Sequence, residues 1–445
     1  DHLMRHAMYK FLYIFTLCLV ASLNTLQAEG LSEVFNQALV RDTQIREARA
    51  NFEANALARP LARASLLPQI SLTAETSDNY IKTVGNTFGV PGSSADYNSH
   101  GFSLRLDQPL YNHSLYVQLR QAKNMVAKAQ AVLDASEQAL ILRVAEAYFN
   151  VLGAEDTLTF ARSEKEASQR QHEQAEIRFE VGLAAITDMK DAQAVYDQAV
   201  AAEIDAKIAV ELALDELAVI IGDRIQQVTP LASKMELSRP NPDYIEDWVE
   251  TALRQNLSLL INNYDTKIAK QEIAKRQAGY LPTLDIIAAY TDNDTGGISG
   301  SRHSKSSRIG LELSLPIFQG GRTYYTSKEG SYLYQAAQES NAQLRREVTR
   351  DARTAYHNVV AAISRIEAFA RATESSQLAA EATELGFEVG TRNSVDVLLA
   401  QRRLFQAKRN HARARYDYLI DSLRLKQAAG ILSSADLFEI EAWLQ

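Results

Sequence analysis

The sequence predicts a mainly α-helical chain with a membrane β-barrel portion, built as an internal duplication. Three observations carry that prediction. The first is a repeated tip: Phe179-Glu180-Val181-Gly182 and Asp188 recur as Phe387-Glu388-Val389-Gly390 and Asp396, 208 residues on. The second is a set of further landmarks near the same offset. Ala147-Tyr148 matches Ala355-Tyr356, Gln108-Pro109-Leu110-Tyr111 matches Leu315-Pro316-Ile317-Phe318, Leu67-Pro68 matches Leu281-Pro282, and Gly222 matches Gly430. Self-similarity at one offset means two copies of one structural unit. The third is a change of period. Two pairs of segments alternate apolar and polar residues, while the rest follows helical spacing.

The start reads as a secretory leader over residues 1–28, with Arg5, His6 and Lys10 before an apolar run from Phe11 to Leu23. Leu26-Gln27-Ala28 is its expected cleavage site, and Asp1 ahead of Met4 and Met8 is not expected to be the native initiator. The only cysteine, Cys18, lies inside the apolar run, so the mature chain should carry no disulfide or cysteine metal site. The mature chain should carry 45 basic and 54 acidic residues, a balance that argues against nucleic acid as a partner. Past the leader no apolar run is long enough for a transmembrane helix. The first repeat is expected over 29–230 and the second over 231–445, with a connector marked by Pro230, Pro240 and Pro242. The tail after Gly430 should pack near that connector.

Each repeat should hold a helix, two strands, a long helix and a return helix. The first helix is expected over 31–66, closed by Pro68, and its counterpart over roughly 244–279. Ile70, Leu72 and Ala74 then alternate with Ser71, Thr73 and Glu75. A turn-rich loop is expected over 85–99. Phe102, Leu104 and Leu106 resume the alternation until Pro109, and the second repeat shows the same scheme around an expected loop from Asp292 to Ser307. Alternating strands of about ten residues mark transmembrane barrels. Residues 112–180 read as one helix, with a heptad seam at Leu115, Leu119, Ala122, Val126, Ala129 and Leu133. At 1.5 Å per residue it would be about 100 Å long. Its counterpart runs from about 321 to 386, and 187–221 and 395–429 are the return helices. Gly182 and Gly390 should close the long helices in the left-handed conformation. Thr187, Asp188 and Ser394 offer caps for the helices that follow.

Four strands cannot close a membrane barrel, and an open edge in lipid leaves backbone groups unpaired at several kcal/mol each. The chain must oligomerise. Three copies give a 12-stranded β-barrel continued by an α-helical barrel, whereas two would give about eight strands and a lumen filled by side chains.

The duplication, the Leu-Pro and Gln-Pro-Leu junctions and the tip from Phe179 to Asp188 resemble the outer membrane efflux protein family over essentially the whole mature chain. That resemblance implies a homotrimeric channel-tunnel in the outer membrane of a Gram-negative bacterium, in contact with its lipid, with the helical barrel in the periplasm. It implies an exit duct for type I protein secretion and multidrug efflux. A periplasmic adaptor would recruit the duct to an inner-membrane pump of ABC, RND or MFS type. It implies a gate latch of Arg392 with Thr187 and Asp188, to which Phe387 lacks the family's Tyr hydroxyl. It implies a pore constriction at Asp396, where Leu399 stands in place of a second acid, so the constriction should be less charged than the family pattern. Gly182, Leu183, Gly390 and Thr391 match the adaptor-docking groove.

No catalytic constellation is present. The eight histidines are scattered, and neither a His-Glu-x-x-His run nor a phosphate-binding glycine loop occurs. No cofactor is expected, and energy must come from a partner. Asp292 and Asp294 beside Gly296-Gly297 match a calcium loop only in part and are read as an external turn. A structural coiled-coil surface protein without a pore would explain the heptads but not the strands. An efflux duct of a lipid-anchored subfamily is disfavoured by the position of Cys18.

Overall fold

The computed structural model describes residues 28–85, 92–232, 235–297 and 300–444. The expected leader lies outside them except for Ala28, as do Cys18 and residues 86–91 of the first hairpin loop. The elements run in order as α1 (Leu31–Arg41), α2 (Thr43–Ala56), α3 (Ala58–Ala64), β1 (Gln69–Lys82), β2 (Ser94–Tyr111), α4 (His113–Glu180) and α5 (Ile186–Ile221). They continue as α6 (Ile245–Gln255), α7 (Leu257–Gln277), a 3₁₀ turn (Ala278–Tyr280), β3 (Thr283–Thr295), β4 (Arg302–Ser314), α8 (Arg322–Glu388), α9 (Ser394–Ala429) and α10 (Ser434–Glu441). The duplication is plain in the lengths: α4 and α8 have 68 and 67 residues, and α5 and α9 have 36 each.

The helices expected as continuous over 31–66 and 244–279 are broken. At Asp42 the chain leaves the helix (φ −57°, ψ 127°), and at Asn256 it does so again with nearly the same angles (φ −58°, ψ 124°). Side-chain chemistry holds both breaks. Asp42 accepts the Ile45 N–H at 2.8 Å, which caps α2, and takes the Arg143 guanidinium on both oxygens. Asn256 donates its amide to the Ala428 carbonyl at 3.0 Å. A third break at Leu57 follows from Pro60, which has no N–H to offer the Ala56 carbonyl four residues back.

Two compact units are built from these elements. One comprises Arg49–Leu133 and Ser258–Arg345 and holds the sheet. Its strands lie in the order β1-β2-β3-β4, all antiparallel. The register gathers the apolar set on one face: Leu72 lies opposite Leu104, Leu104 opposite Tyr290, Ala288 opposite Ile309, and Ile286 opposite Leu311. The other face is polar, with Arg105 clamped on Asp107 at 2.7 Å. Apolar on one side and polar on the other, with strands of 13 to 18 residues, is the pattern of a membrane barrel wall. Within one chain β1 and β4 are open edges. Among the described residues no helix is long and apolar enough to cross a membrane.

The hairpins are longer than the sequence suggested. β2 begins at Ser94, inside the expected loop 85–99. β3 and β4 extend to Thr295 and from Arg302, inside the expected loop from Asp292 to Ser307. Asp292 is therefore strand and not turn, paired with Lys305 at 3.3 Å. Both faces are polar in these extensions, so alternation of hydropathy is silent there. Nor does Pro109 end β2. The strand runs on to Tyr111, and the register with β3 shifts between Pro109 and Tyr111, where the missing N–H is absorbed. In the same unit α7 ties to α4 through Lys128–Asp265 at 2.7 Å and to α8 through Arg276–Glu329 at 2.7 Å.

The other unit comprises Asp134–Leu257, Arg346–Gln445 and the described residues up to Ala48. Its core lies along α4, where Leu140, Val144, Tyr148, Phe149 and Leu152 are fully enclosed. The Tyr148 hydroxyl donates to the Thr229 carbonyl at 2.9 Å, tying the long helix to the segment before the connector. Burial pushes that phenol far above its usual range. Its counterpart in the second repeat, Tyr356, donates to Asp243 at 2.7 Å. At the end of the chain Leu231 pairs with Leu444, and α10 packs on α1.

Candidate functional site: the two helical tips

Both tips belong to the second of these units. At the first, Gly182 adopts φ +77° after α4, and the Leu183 N–H reaches back to the Arg178 carbonyl at 2.7 Å. At the second, Gly390 adopts φ +78°, and the Thr391 N–H bonds the Gly386 carbonyl at 2.8 Å. A Cβ at either glycine would meet nothing within 4 Å, so it is the backbone angle that selects glycine. Both close their helices as expected.

The helices that follow start differently. α9 is capped by Asn393, whose side chain accepts the Asp396 N–H at 2.8 Å while Asp396 reaches back to the Asn393 N–H at 3.4 Å. This reciprocal pair is a capping box. The expected cap, Ser394, is buried instead, and its hydroxyl has no hydrogen-bond partner. At α5 the cap position is Ala185, which has no side chain to offer; Thr187 and Asp188 already lie in the first turn. There Asp188 meets the positive end of the helix dipole.

Arg392 stands 3.9 Å from Asp396, four residues along its own tip. Thr187 is exposed and Asp188 half-buried on the other tip. Within one chain the structure thus joins Arg392 to Asp396 rather than to the Thr187–Asp188 pair. Phe387 is 5% exposed, with the Arg178 guanidinium 4.2 Å above its ring. This cation–π contact bridges the ends of α4 and α8. Sequence reasoning missed Arg178; its place in the last turn before the first tip, level with Phe387 before the second, was the available signal. Beneath the tips Ala175, Ala192 and Leu398 form a small core with Met189 and Val195 packed on it. Leu399, the next residue on α9, is half-exposed. Outside the core Leu183 is 78% exposed, and Val181, Ile186 and Val389 are exposed as well. Gly182, Leu183, Gly390 and Thr391 all lie on this outer surface. The tips thus combine an internally bonded cap, one Arg–Asp pair and an exposed apolar rim. These groups offer contact surface and charge.

Known proteins resemble this chain along most of its length. The family described as outer membrane efflux protein matches residues 34–223 and 248–431, one segment in each repeat. The outer membrane protein TolC of Vibrio cholerae is 37% identical over 96% of this chain and 97% of its own. The alkaline protease secretion protein AprF of Pseudomonas aeruginosa is 28% identical over 92% of this chain and 86% of its own. Among solved structures, the Campylobacter jejuni CmeC outer membrane channel superimposes with a TM-score of 0.78 at 17% identity, covering 94% of this chain and 91% of that one.

Proposed function

The chain belongs to the outer membrane efflux protein family, and from that premise we propose that three copies of it close into one channel-tunnel. It is an outer-membrane efflux duct, of a family of channel proteins rather than enzymes. The observation that carries the trimer is the sheet: four strands with two open edges, β1 and β4, and one apolar face. Joining β4 of one copy to β1 of the next satisfies both edges, and three copies give the 12 strands of a wall with an open lumen. In this reading residues 1–28 are removed on export, and the repeats 29–230 and 231–445 each contribute two strands to the wall. The helices continue the duct into the periplasm.

The relatives support two classes of cargo. Likeness to TolC and to a protease secretion protein supports export of proteins as well as small toxic compounds. Such a duct has no energy source of its own, so it works with an inner-membrane pump through a periplasmic adaptor. The exposed apolar rim of Leu183, Val181 and Val389, with the glycine turns at Gly182 and Gly390 and the adjoining Thr391, is the surface we assign to that adaptor.

The tips form the gate. Asp396 and half-exposed Leu399 make the constriction, one acidic ring followed by an apolar one. Arg392 holds its own Asp396 at the limit of ion-pair distance and, in the closed ring, turns to Thr187 and Asp188 of the neighbouring tip. Phe387, fixed under Arg178, supplies the packed floor. An exposed pair of this kind is worth about 1 kcal/mol or less, and three symmetric copies bias the gate together. Single-channel recording of the reconstituted protein tests this. Arg392→Ser should raise conductance with assembly intact, and Asp396→Asn should reduce cation preference. Wild-type conductance and selectivity in both assembled variants would remove these residues from the gate.

A further inference from the structure

The chain has only two tryptophans, Trp248 and Trp443, and both line one cavity. It lies far along α9 from the tips, where α9, α10 and the connector meet, and its volume is about 300 Å³. That is the size at which small-molecule sites begin. Val359, Leu419, Leu423 and Ile440 give it an apolar lining. Trp248 is almost fully buried, and its indole N–H donates to the Pro242 carbonyl at 2.8 Å, so the ring is fixed before anything binds.

The charges at this cavity are unevenly answered. Arg239 is held by Asp243 at 2.7 Å. Asp436 is spent on capping α10, where it accepts the Ser433 N–H at 2.7 Å, and on the Lys426 ammonium. Lys426 must also serve Glu439, at 3.3 Å. One ammonium thus faces two carboxylates, and the Glu439 side chain is 71% exposed. Both cations are committed, and one carboxylate is only partly neutralised beside two indoles. Indole attracts cations more strongly than any other side-chain ring.

We propose that this cavity is a binding site for a lipophilic organic cation, a tertiary or quaternary ammonium. Its apolar body fills the space between the tryptophans, and its charge is directed to Glu439. The site is separate from the gate and does not depend on the assignments made there. An occupant would brace α10 and the connector against α9.

Because no other tryptophan exists in the chain, its whole tryptophan emission reports on this cavity. The test uses the full-length protein in lipid nanodiscs, free of detergent, titrated with benzyltriethylammonium, with neutral N,N-diethylbenzamide and with anionic toluenesulfonate. The cation should change the emission saturably, with a midpoint about tenfold below that of the amide, the ratio that one exposed carboxylate and an indole face supply together. Glu439→Gln, at an exposed position that does not threaten folding, should raise the cation's midpoint and leave the amide's unchanged. No saturable response to the cation, equal midpoints for the three probes, or an unchanged cation midpoint in Glu439→Gln would each overturn the proposal.

Discussion

α5 and α9 are both 36 residues long and both end on a left-handed glycine, Gly222 and Gly430, yet α9 buries much more of its circumference. α9 is enclosed along most of its length by large side chains, among them Leu404, Phe405, Tyr416, Leu419 and Leu423. Two of its arginines are answered by α4: Arg409 by Glu164 at 2.9 Å and Arg424 by Glu146 at 2.7 Å. With Leu214, Leu217 and Ile221 buried only toward its end, α5 is attached by a seam of alanines seven residues apart, Ala192, Ala199, Ala206 and Ala213. That spacing is the heptad of a coiled coil, and small residues in it let two helices approach closely. The opposite side of α5 carries Ile204, Ile208, Leu212 and Val219, all exposed; Val219 is 79% open. One duplicated element has become an interior stave and the other an edge. An edge with an apolar stripe has a neighbour to meet, and the sheet has the same need at β1 and β4.

Breaking the interior stave should cost most. Leu423 is 1% exposed, and Leu423→Ala should destabilise the chain by about 2–5 kcal/mol, read as a drop in thermal midpoint. A loss no greater than that of a surface substitution would mean that α9 is not packed as described. The edge stave fails in the other way, by overfilling. Ala206→Leu puts three extra carbons into a seam that has no room for them, at about 1–3 kcal/mol. Hydrogen exchange should show the largest loss in α5 and in the parts of α4 and α9 it touches. Exchange that rises equally along the whole of α9 would contradict a seam local to α5.

Acid should sharpen the same contrast, with a smaller effect. Glu203 on α5 is held below the usual carboxylate range by its hydrogen bond from Lys165. A depressed carboxylate stabilises fully above its unfolded value of 4.5 and loses that contribution as the pH falls through the folded one. Asp421 on α9 is the reverse case, pushed up by burial despite Arg424. Its buried charge is a penalty at neutral pH that protonation relieves. Below pH 4.5, amide protection should therefore fall in α5 before it falls in α9; the opposite order would reject this assignment of charges.

How far the sequence reveals these differences depends on what periodicity can carry. The long helices were legible to within two residues, because α4, α5, α8 and α9 are continuous patterns closed by glycines. The sheet face was legible where Leu72, Leu104 and Ile309 alternate with polar neighbours. The breaks at Asp42 and Asn256 were not, since a single residue interrupts no pattern and acts through partners distant in sequence, Arg143 and Ala428. Pro60 is a visible signal of the third break. The ends of the strands were hidden because Asn98, His100 and Asp292 are polar on a face that is apolar only lower down. At the tips the glycines and the exposed rim could be read directly. The cap was assigned to Ser394 although Asn393, one residue earlier, completes the box with Asp396. The Arg178–Phe387 contact joins two repeats, and its one signal is that both residues stand in the last turn before a tip.

The claim on which the rest depends is that one chain is an incomplete wall. Native mass spectrometry of the protein extracted from outer membranes tests it most directly, with wild type beside Ile208→Asp on the open stripe of α5. Wild type should appear as three chains, and the aspartate should weaken the trimer while each chain keeps its helical content. A wild-type protein that runs as a single chain with its strands still formed would contradict the closed ring of three.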